Sequence, residues 1–178
     1  MKTFARLSIF ETNSSSCHQI VINNDGEYKV PEVLEIHTGE YGWDFNVLRT
    51  VEERVSYLVT VIMYICSYPR DKYNEQWFDE MYSKLNSKLD EFGVKLIEDP
   101  EYGTDFWAEN NPHHYNGYVD HPDWYIDRIE EIINDDKLLY DFLFNGHSFV
   151  VIGNDNGYTS FDAPEDWSMD DELKKEVW

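Results

Sequence analysis

Cysteine is scarce in this chain: Cys17 and Cys66 are the only two among 178 residues. Two thiols cannot build a disulfide framework, and their rarity fits a reducing compartment. Basic residues are also few, with 14 Lys and Arg against 36 Asp and Glu, for a net charge of −22. A field of that sign repels nucleic acid and anionic lipid, which argues against direct DNA binding. No apolar run approaches the roughly 20 residues of a membrane span. The start, Met1-Lys2-Thr3-Phe4-Ala5-Arg6, holds too few apolar residues for a signal peptide. The expected location is therefore the cytoplasm. There is no internal repeat and no low-complexity linker. The compact metal and nucleotide motifs are missing too: no His-Glu-x-x-His, no Cys-x-x-Cys, no phosphate-cradling glycine loop and no dinucleotide fingerprint.

What is present supports a packed core. The apolar fraction is 42% and aromatics reach 16%, which separates the chain from disordered acidic sequences. The length suits a single domain over 1–178. Charge is unevenly spread. Residues 1–89 carry 13 acidic and 9 basic side chains, whereas residues 90–178 carry 23 and 5. A second half at −18 exceeds the magnitude of about 2–8 that solubility asks of a small domain. It would steer the protein toward a basic surface, of which the groove of a nucleic-acid enzyme is one class.

Along the chain, Phe4 to Phe10 and Cys17 to Asn23 read as strands. In the second, His18, Ile20 and Ile22 share one face and Cys17, Gln19 and Val21 the other. Asp25-Gly26 is a hairpin signal. Glu27 to Val30 and Val33 to His37 are short strand candidates around Pro31. Thr50 and Glu53 form a capping box, and Val51, Val55, Leu58, Ile62 and Cys66 then recur at helical spacing. The opposite side is also apolar, so this helix should be central, with Cys66 in the core. A second helix is expected from about Asp71 to Phe92, with Tyr73, Trp77, Met81, Leu85 and Leu89 on one face and Gly93 as its C-terminal cap. Val94 to Ile97 reads as a short strand. Residues 98–121 break every periodic pattern and read as a long loop, partly packed through its aromatics. Pro122 suits a helix start, with Tyr125, Ile129, Ile132 and Ile133 facing inward. A short helix over Lys137 to Phe144 closes at Gly146, and Ser148 to Ile152 is a β-branched strand. An acidic tail occupies about 162–178. The mixture predicts an α+β fold: a small, mostly antiparallel sheet with about four helices.

Three kinds of chemistry are open. The first is a metal site assembled from distant segments, since zinc takes imidazole and carboxylate. His18, Glu40 and His121 are its candidate ligands, with His37 and Asp120 as substitutes; the alternative is histidines standing in surface loops. The second is a nucleophile, Ser14 to Ser16 or Cys17 beside His18, against the plainer reading of a serine-rich turn. The third is acid–base or two-metal work by paired carboxylates such as Glu130-Glu131 or Asp135-Asp136, against a solvated helix face.

The most unusual stretch is Phe10-Glu11-Thr12-Asn13-Ser14-Ser15-Ser16-Cys17-His18. It resembles the N-terminal signature of a large group of phage and prophage proteins of Gram-positive bacteria, most of them without an assigned role. Gly39-Glu40-Tyr41-Gly42-Trp43, Gly117-Tyr118-Val119-Asp120-His121 and Phe142-Leu143-Phe144-Asn145, followed by Ser148 and Gly153-Asn154-Asp155-Asn156, agree with that group in order and rough spacing. The resemblance covers most of the chain. Gln19 departs from it, because members often carry Ser after the histidine. The resemblance implies a metal held by His18, Glu40, Asp120 and His121, with zinc in a structural role. Small acidic phage proteins of this sort are similar to anti-CRISPR proteins, including a metal-containing inhibitor of type II CRISPR nucleases. The expectation is an inhibitor in the cytoplasm of the infected host that blocks DNA loading on such a nuclease. Its contacts would be made by carboxylates standing in for phosphates: Asp123, Asp127, Glu130, Glu131, Asp135 and Asp136. Two alternatives stay open. One is a metal-dependent hydrolase centred on His18, Glu40 and His121, with Glu40 or Asp120 as base. The other is a phage accessory protein with no role in defence.

Overall fold

The structure, a computed structural model, describes residues 5–8, 16–37, 39–42, 46–67, 75–98, 117–119 and 126–154. The α+β expectation holds. Among the described residues, four helices, α1 (Val51–Ser67), α2 (Glu75–Glu91), α3 (Ile126–Asn134) and α4 (Asp136–Phe144), accompany eight strands. Strands β1 (Ala5–Ser8), β2 (Ser16–Ile22), β5 (Asn46–Leu48) and β8 (Phe149–Asn154) form an antiparallel sheet in the order β1-β2-β8-β5. Two further pairs are parallel: β3 (Val33–Ile36) with β6 (Lys95–Glu98), and β4 (Glu40–Tyr41) with β7 (Tyr118–Val119).

The central helix begins where the capping box places it. Glu53 N donates to Thr50 Oγ1 at 3.1 Å, while Glu53 Oε2 accepts from Thr50 N at 2.8 Å and from Arg49 N at 2.7 Å. Every residue from Arg54 to Met63 is buried, so α1 is enclosed on all sides. Helix α2 ends in a Schellman motif at Gly93, whose φ is 80°. Val94 N reaches Leu89 O at 2.8 Å and Gly93 N reaches Asp90 O at 3.0 Å, and the chain turns directly into β6. Trp77, Met81, Leu85 and Leu89 are buried on the predicted face of α2, as are Ile129, Ile132 and Ile133 on α3. Burying each aliphatic side chain of this kind is worth about 1.5–3 kcal/mol. Asp135 separates α3 from α4 and caps the latter, its Oδ1 accepting from Lys137 N at 2.9 Å and Leu138 N at 3.0 Å. The expectations for Tyr73, Pro122 and Tyr125, for most of the 98–121 loop, for the acidic tail and for the Cys66 side chain lie outside the described residues.

The hairpin expected at Asp25-Gly26 does not form. Strand β2 pairs with β1 and β8, and β3 pairs in parallel with β6. Nor is Glu27 to Val30 a strand, for only Tyr28 makes a bridge, with Asn145. The glycine serves a close approach instead of a tight turn. A Cβ at Gly26 would lie 2.2 Å from Asn145 Oδ1. This contact lets the 25–29 segment lie against the corner between α4 and β8. Lys29 N donates to Phe144 O at 2.9 Å and Gly146 N to Glu27 O at 2.8 Å.

One buried charge ties this corner to α1. Arg54, 1% exposed, carries its guanidinium into the corner. Nη2 donates to Leu143 O at 2.6 Å and to Asn145 O at 3.3 Å. Nη1 donates to Ser148 O at 2.5 Å and also to Arg49 O. Leu143 O and Asn145 O belong to the C-terminal end of α4, where the helix dipole favours a cation. Burial pulls the guanidinium down from 12.5 to about 10, against the opposing pull of Glu53 and Glu52, so it stays protonated at neutral pH. Replacing Arg54 by Met keeps the bulk and strands these carbonyls. We expect Arg54→Met to cost about 3 kcal/mol or more, read from the urea unfolding curve. A loss below about 1 kcal/mol would contradict the role given to this side chain.

Candidate functional site

Period-two alternation in β2 sends His18 inward, where it is 7% exposed and stands level with Ile20 and Ile22 of the core. Its Nδ1 is hydrogen-bonded to the Tyr57 hydroxyl at 3.2 Å, and the two rings stack with centroids 6.0 Å apart. Tyr41 of β4 meets the same Tyr57 ring edge-on at 5.2 Å. A small polar and aromatic cluster thus forms where β2, α1 and β4 meet. Helix α1 supplies its other hydroxyls. Thr60 hydrogen-bonds with Tyr41 and donates its Oγ1 proton to Ser56 O at 2.7 Å, and Ser56 Oγ accepts from His37 N at 3.0 Å, at the end of β3.

The pairing of β4 with β7 brings two of the motif stretches together. Glu40 lies across from Tyr118 and Tyr41 across from Val119. The Gly39–Gly42 loop therefore runs beside the residues that lead into Asp120 and His121, which themselves lie outside the described residues. Glycine permits the loop's path at two points. A Cβ at Gly39 would sit 2.9 Å from the Tyr41 ring, and Gly42 holds a φ of 124°. Glu40 and Tyr41 alternate, with Glu40 exposed and Tyr41 buried. The carboxylate is thus on the solvent side of its strand, while His18 is inside. Among the described residues, no group of three or more His, Cys, Asp or Glu side chains is gathered closely enough to hold a metal ion. His37 and His147 are both exposed, His37 lying 3.9 Å from Glu35 and His147 3.6 Å from Asp25. His113 and His114 are outside the described residues, as are Ser14 and Ser15.

The expected partner-binding carboxylates have divided duties. Glu130 Oε1 accepts from Trp77 Nε1 at 2.6 Å, joining α3 to α2. Asp136 is paired with Lys88 of α2, and Asn134 accepts from Lys84 of the same helix. Asp135 is spent as the cap of α4. Glu131 pairs with Arg128 at 2.6 Å, and Asp127, one turn earlier on the same flank of α3, is exposed. The exposed carboxylates of this region therefore stand on α3 and at the α3–α4 junction. Asp123 is outside the described residues.

Comparison of the chain with family models, with curated proteins and with solved structures finds no match. Among the described residues no helix is long and apolar enough to cross a membrane.

Alternation put His18 on the face of Ile20 and Ile22, and the structure turns that face inward. Tyr57, Tyr41 and Thr60 were not singled out, though their signal was visible. Tyr57 and Thr60 are hydrogen-bonding residues on the side of α1 opposite the Val55–Leu58–Ile62 stripe, in a helix too apolar to have a wet face. Burial drives the Tyr41 phenol up from 10.0 to about 12, and the negative charge of Glu53 adds to this against the Thr60 hydrogen bond. Between those pH values the unfolded chain loses the proton and the folded one keeps it, so stability falls as pH rises through this window. The slope from this group alone is about 1.4 kcal/mol per pH unit. Tyr41→Phe should be less stable at neutral pH yet lose less stability between pH 10 and 12; parallel stability–pH curves for the two proteins would refute the assignment.

Proposed function

We propose that this chain is an anti-defence inhibitor of phage origin that occupies a basic, nucleic-acid-binding groove of a host CRISPR nuclease of type II and keeps DNA out. The single observation that carries this reading is the charge distribution: −18 in residues 90–178. Part of it is displayed on folded helices. Asp127 and Glu131 stand exposed one turn apart on α3, Glu131 sharing its charge with Arg128, and Asp135 and Asp136 follow at the junction with α4, exposed although they cap α4 and pair with Lys88. Carboxylates held at fixed spacing on a rigid element replace phosphates at little entropic cost, because the fold has already ordered them. Lys88 of α2 is paired with Asp136, so this cation is not left to oppose the acidic surface. The motif resemblance supports the choice of partner class.

The test is co-elution on a sizing column with a guide-loaded type II CRISPR nuclease, with and without target DNA, at low and high salt. We expect a complex that excludes target DNA and weakens as salt rises, since attraction between exposed charges is screened. Charge reversal by Asp127→Lys with Glu131→Lys should weaken it by about tenfold. Elution as separate species under every condition would sink the proposal. A complex indifferent both to salt and to charge reversal would remove the mimicry part of it.

A second reading keeps a structural metal alongside this role. The β4–β7 pairing favours it, because it sets the Glu40 stretch beside the chain that leads into Asp120 and His121. His18 also has a ligand's usual kind of support, its Nδ1 being engaged by the Tyr57 hydroxyl. Zinc there would close the N-terminal strand onto the 117–121 segment, and as a structural ion it would have no open position. Metal analysis of untagged protein purified without chelator checks this directly. About one equivalent that is lost in His121→Ala, together with a lower unfolding midpoint, is the expected result; less than about a tenth of an equivalent would refute it. A midpoint unchanged by metal removal, with a hydrolytic activity lost instead, would point to the enzyme.

A further inference from the structure

The Asp25-Gly26 pair, read from sequence as a hairpin turn, has another property once its hairpin role is gone. It is the only Asp-Gly step in the chain. Both residues are held in place by the corner they pack against. Glycine is required because a Cβ would lie 2.2 Å from Asn145 Oδ1 and 3.0 Å from the His147 ring. Asp25 is oriented from both sides, its backbone N donating to Asn23 Oδ1 at 3.1 Å and its Oδ1 lying 3.6 Å from His147 Nδ1. The Asp25 side chain keeps about a third of its surface open to water. A glycine on the C-terminal side of an aspartate offers an amide nitrogen with no side chain shielding it. The packing thus preserves a chemically labile dipeptide and sets a proton donor beside its carboxyl group.

We propose that Asp25-Gly26 is a site of spontaneous isoaspartate formation in the folded protein, with the His147 imidazolium as the proton donor. The Gly26 nitrogen attacks Asp25 Cγ, and its proton passes through water to one carboxylate oxygen. That oxygen leaves as water with a second proton from His147, closing a succinimide. Water then adds to the Asp25 main-chain carbonyl carbon and breaks its bond to the Gly26 nitrogen, which leaves the chain running through Cγ. Addition at Cγ restores aspartate. One water is lost and one regained, so the mass is unchanged and neither oxidant nor reductant takes part.

The product differs from the parent by one extra methylene in the backbone, at the point of tightest contact with the corner. Gly26 then no longer lies flush against Asn145. The Tyr28–Asn145 bridge and the bonds from Gly146 N to Glu27 O and from Lys29 N to Phe144 O must shift or break. The neighbouring Asn145-Gly146 step is an internal contrast. Its asparagine is fully buried, with Oδ1 accepting from His147 N at 2.9 Å, and this fixes the side chain away from ring closure.

The experiment ages the full-length folded protein for weeks in warm, mildly acidic buffer. Trypsin releases residues 7–29, and electron-transfer fragmentation distinguishes isoaspartate from aspartate at position 25. We expect isoaspartate to accumulate at Asp25 while Asn145 stays unchanged. Its formation should slow several-fold in both His147→Gln and His147→Ala, and the aged fraction should unfold at lower urea. Isoaspartate that forms at Asp25 in the urea-unfolded chain but not in the folded one would overturn the proposal. Equal rates in the parent and both His147 variants would overturn the role of the imidazole. Slowing in His147→Ala alone would overturn it too, because glutamine removes the proton donor while keeping a side chain of similar reach.

Discussion

A single guanidinium holds together two parts of the chain that are about ninety residues apart in sequence. Arg54 leaves the first turn of α1 and binds carbonyls at the end of α4, in the turn before β8 and just ahead of α1 itself. No carboxylate is among the acceptors in these bonds. Peptide dipoles do the work that an ion-pair partner does elsewhere, and they are already aligned by α4. An arrangement of this kind is stringent. A charge taken out of water is tolerated only where most of its donors find acceptors, so the corner has few geometries open to it. The rest of the α4–β8 corner builds on this fixed point. Ser148 Oγ donates to Asp141 O at 2.8 Å and accepts from Asn23 N at 2.9 Å, which places the end of β2. Asp141 accepts from Tyr28 at 2.7 Å, and Tyr28 stacks on Tyr140. Burial, reinforced by the Asp141 hydrogen bond, raises the Tyr28 phenol above its ordinary value.

The same economy governs the acidic side chains. A net charge of −22 suggests a surface of interchangeable carboxylates, yet those that can be followed have different duties. Glu53 closes the capping box, Asp135 caps α4, Glu130 orients an indole, and Asp136 neutralises Lys88. These contribute to the fold at close range. Asp127 and Glu131 are exposed one turn apart on α3, Glu131 also pairing with Arg128.

Short-range physics made much of this fold legible in the sequence. The capping box, the all-round apolar run of α1, the Gly93 stop and the Ile129-Ile132-Ile133 stripe depend on residues within a turn or two of one another. The facing of His18 followed from simple alternation. The parallel pairs were not legible. Strands of two to four residues are too short to show a period, and their partners are chosen by packing from distant parts of the chain. Gly26 was misread because its sequence context fits a tight turn equally well, whereas the reason for the glycine is an asparagine more than a hundred residues later. Arg54 could have been noticed as the one basic residue in an otherwise enclosed helix. The candidate site was half visible: the motif stretches carrying Glu40 and Tyr118 do meet, but the tyrosines that line the interior around His18 carry no motif.

The order of the strands has a consequence for how the protein is made. Strand β2, near the start of the chain, pairs from Ser16 with Asn154 to Val21 with Phe149. Its other neighbour, β1, offers only four residues of ladder. A ribosome delivers β2 long before β8 exists, and the acceptors for Arg54 at Leu143, Asn145 and Ser148 emerge just before β8 does. Until then the guanidinium has only a local partner and the central sheet lacks its middle. Contacts of such sequence separation slow folding and leave apolar strands waiting unpaired. The nascent chain must therefore carry an unpaired strand and a guanidinium still held by water until the α4–β8 corner arrives, and both are enclosed in nearly the same step.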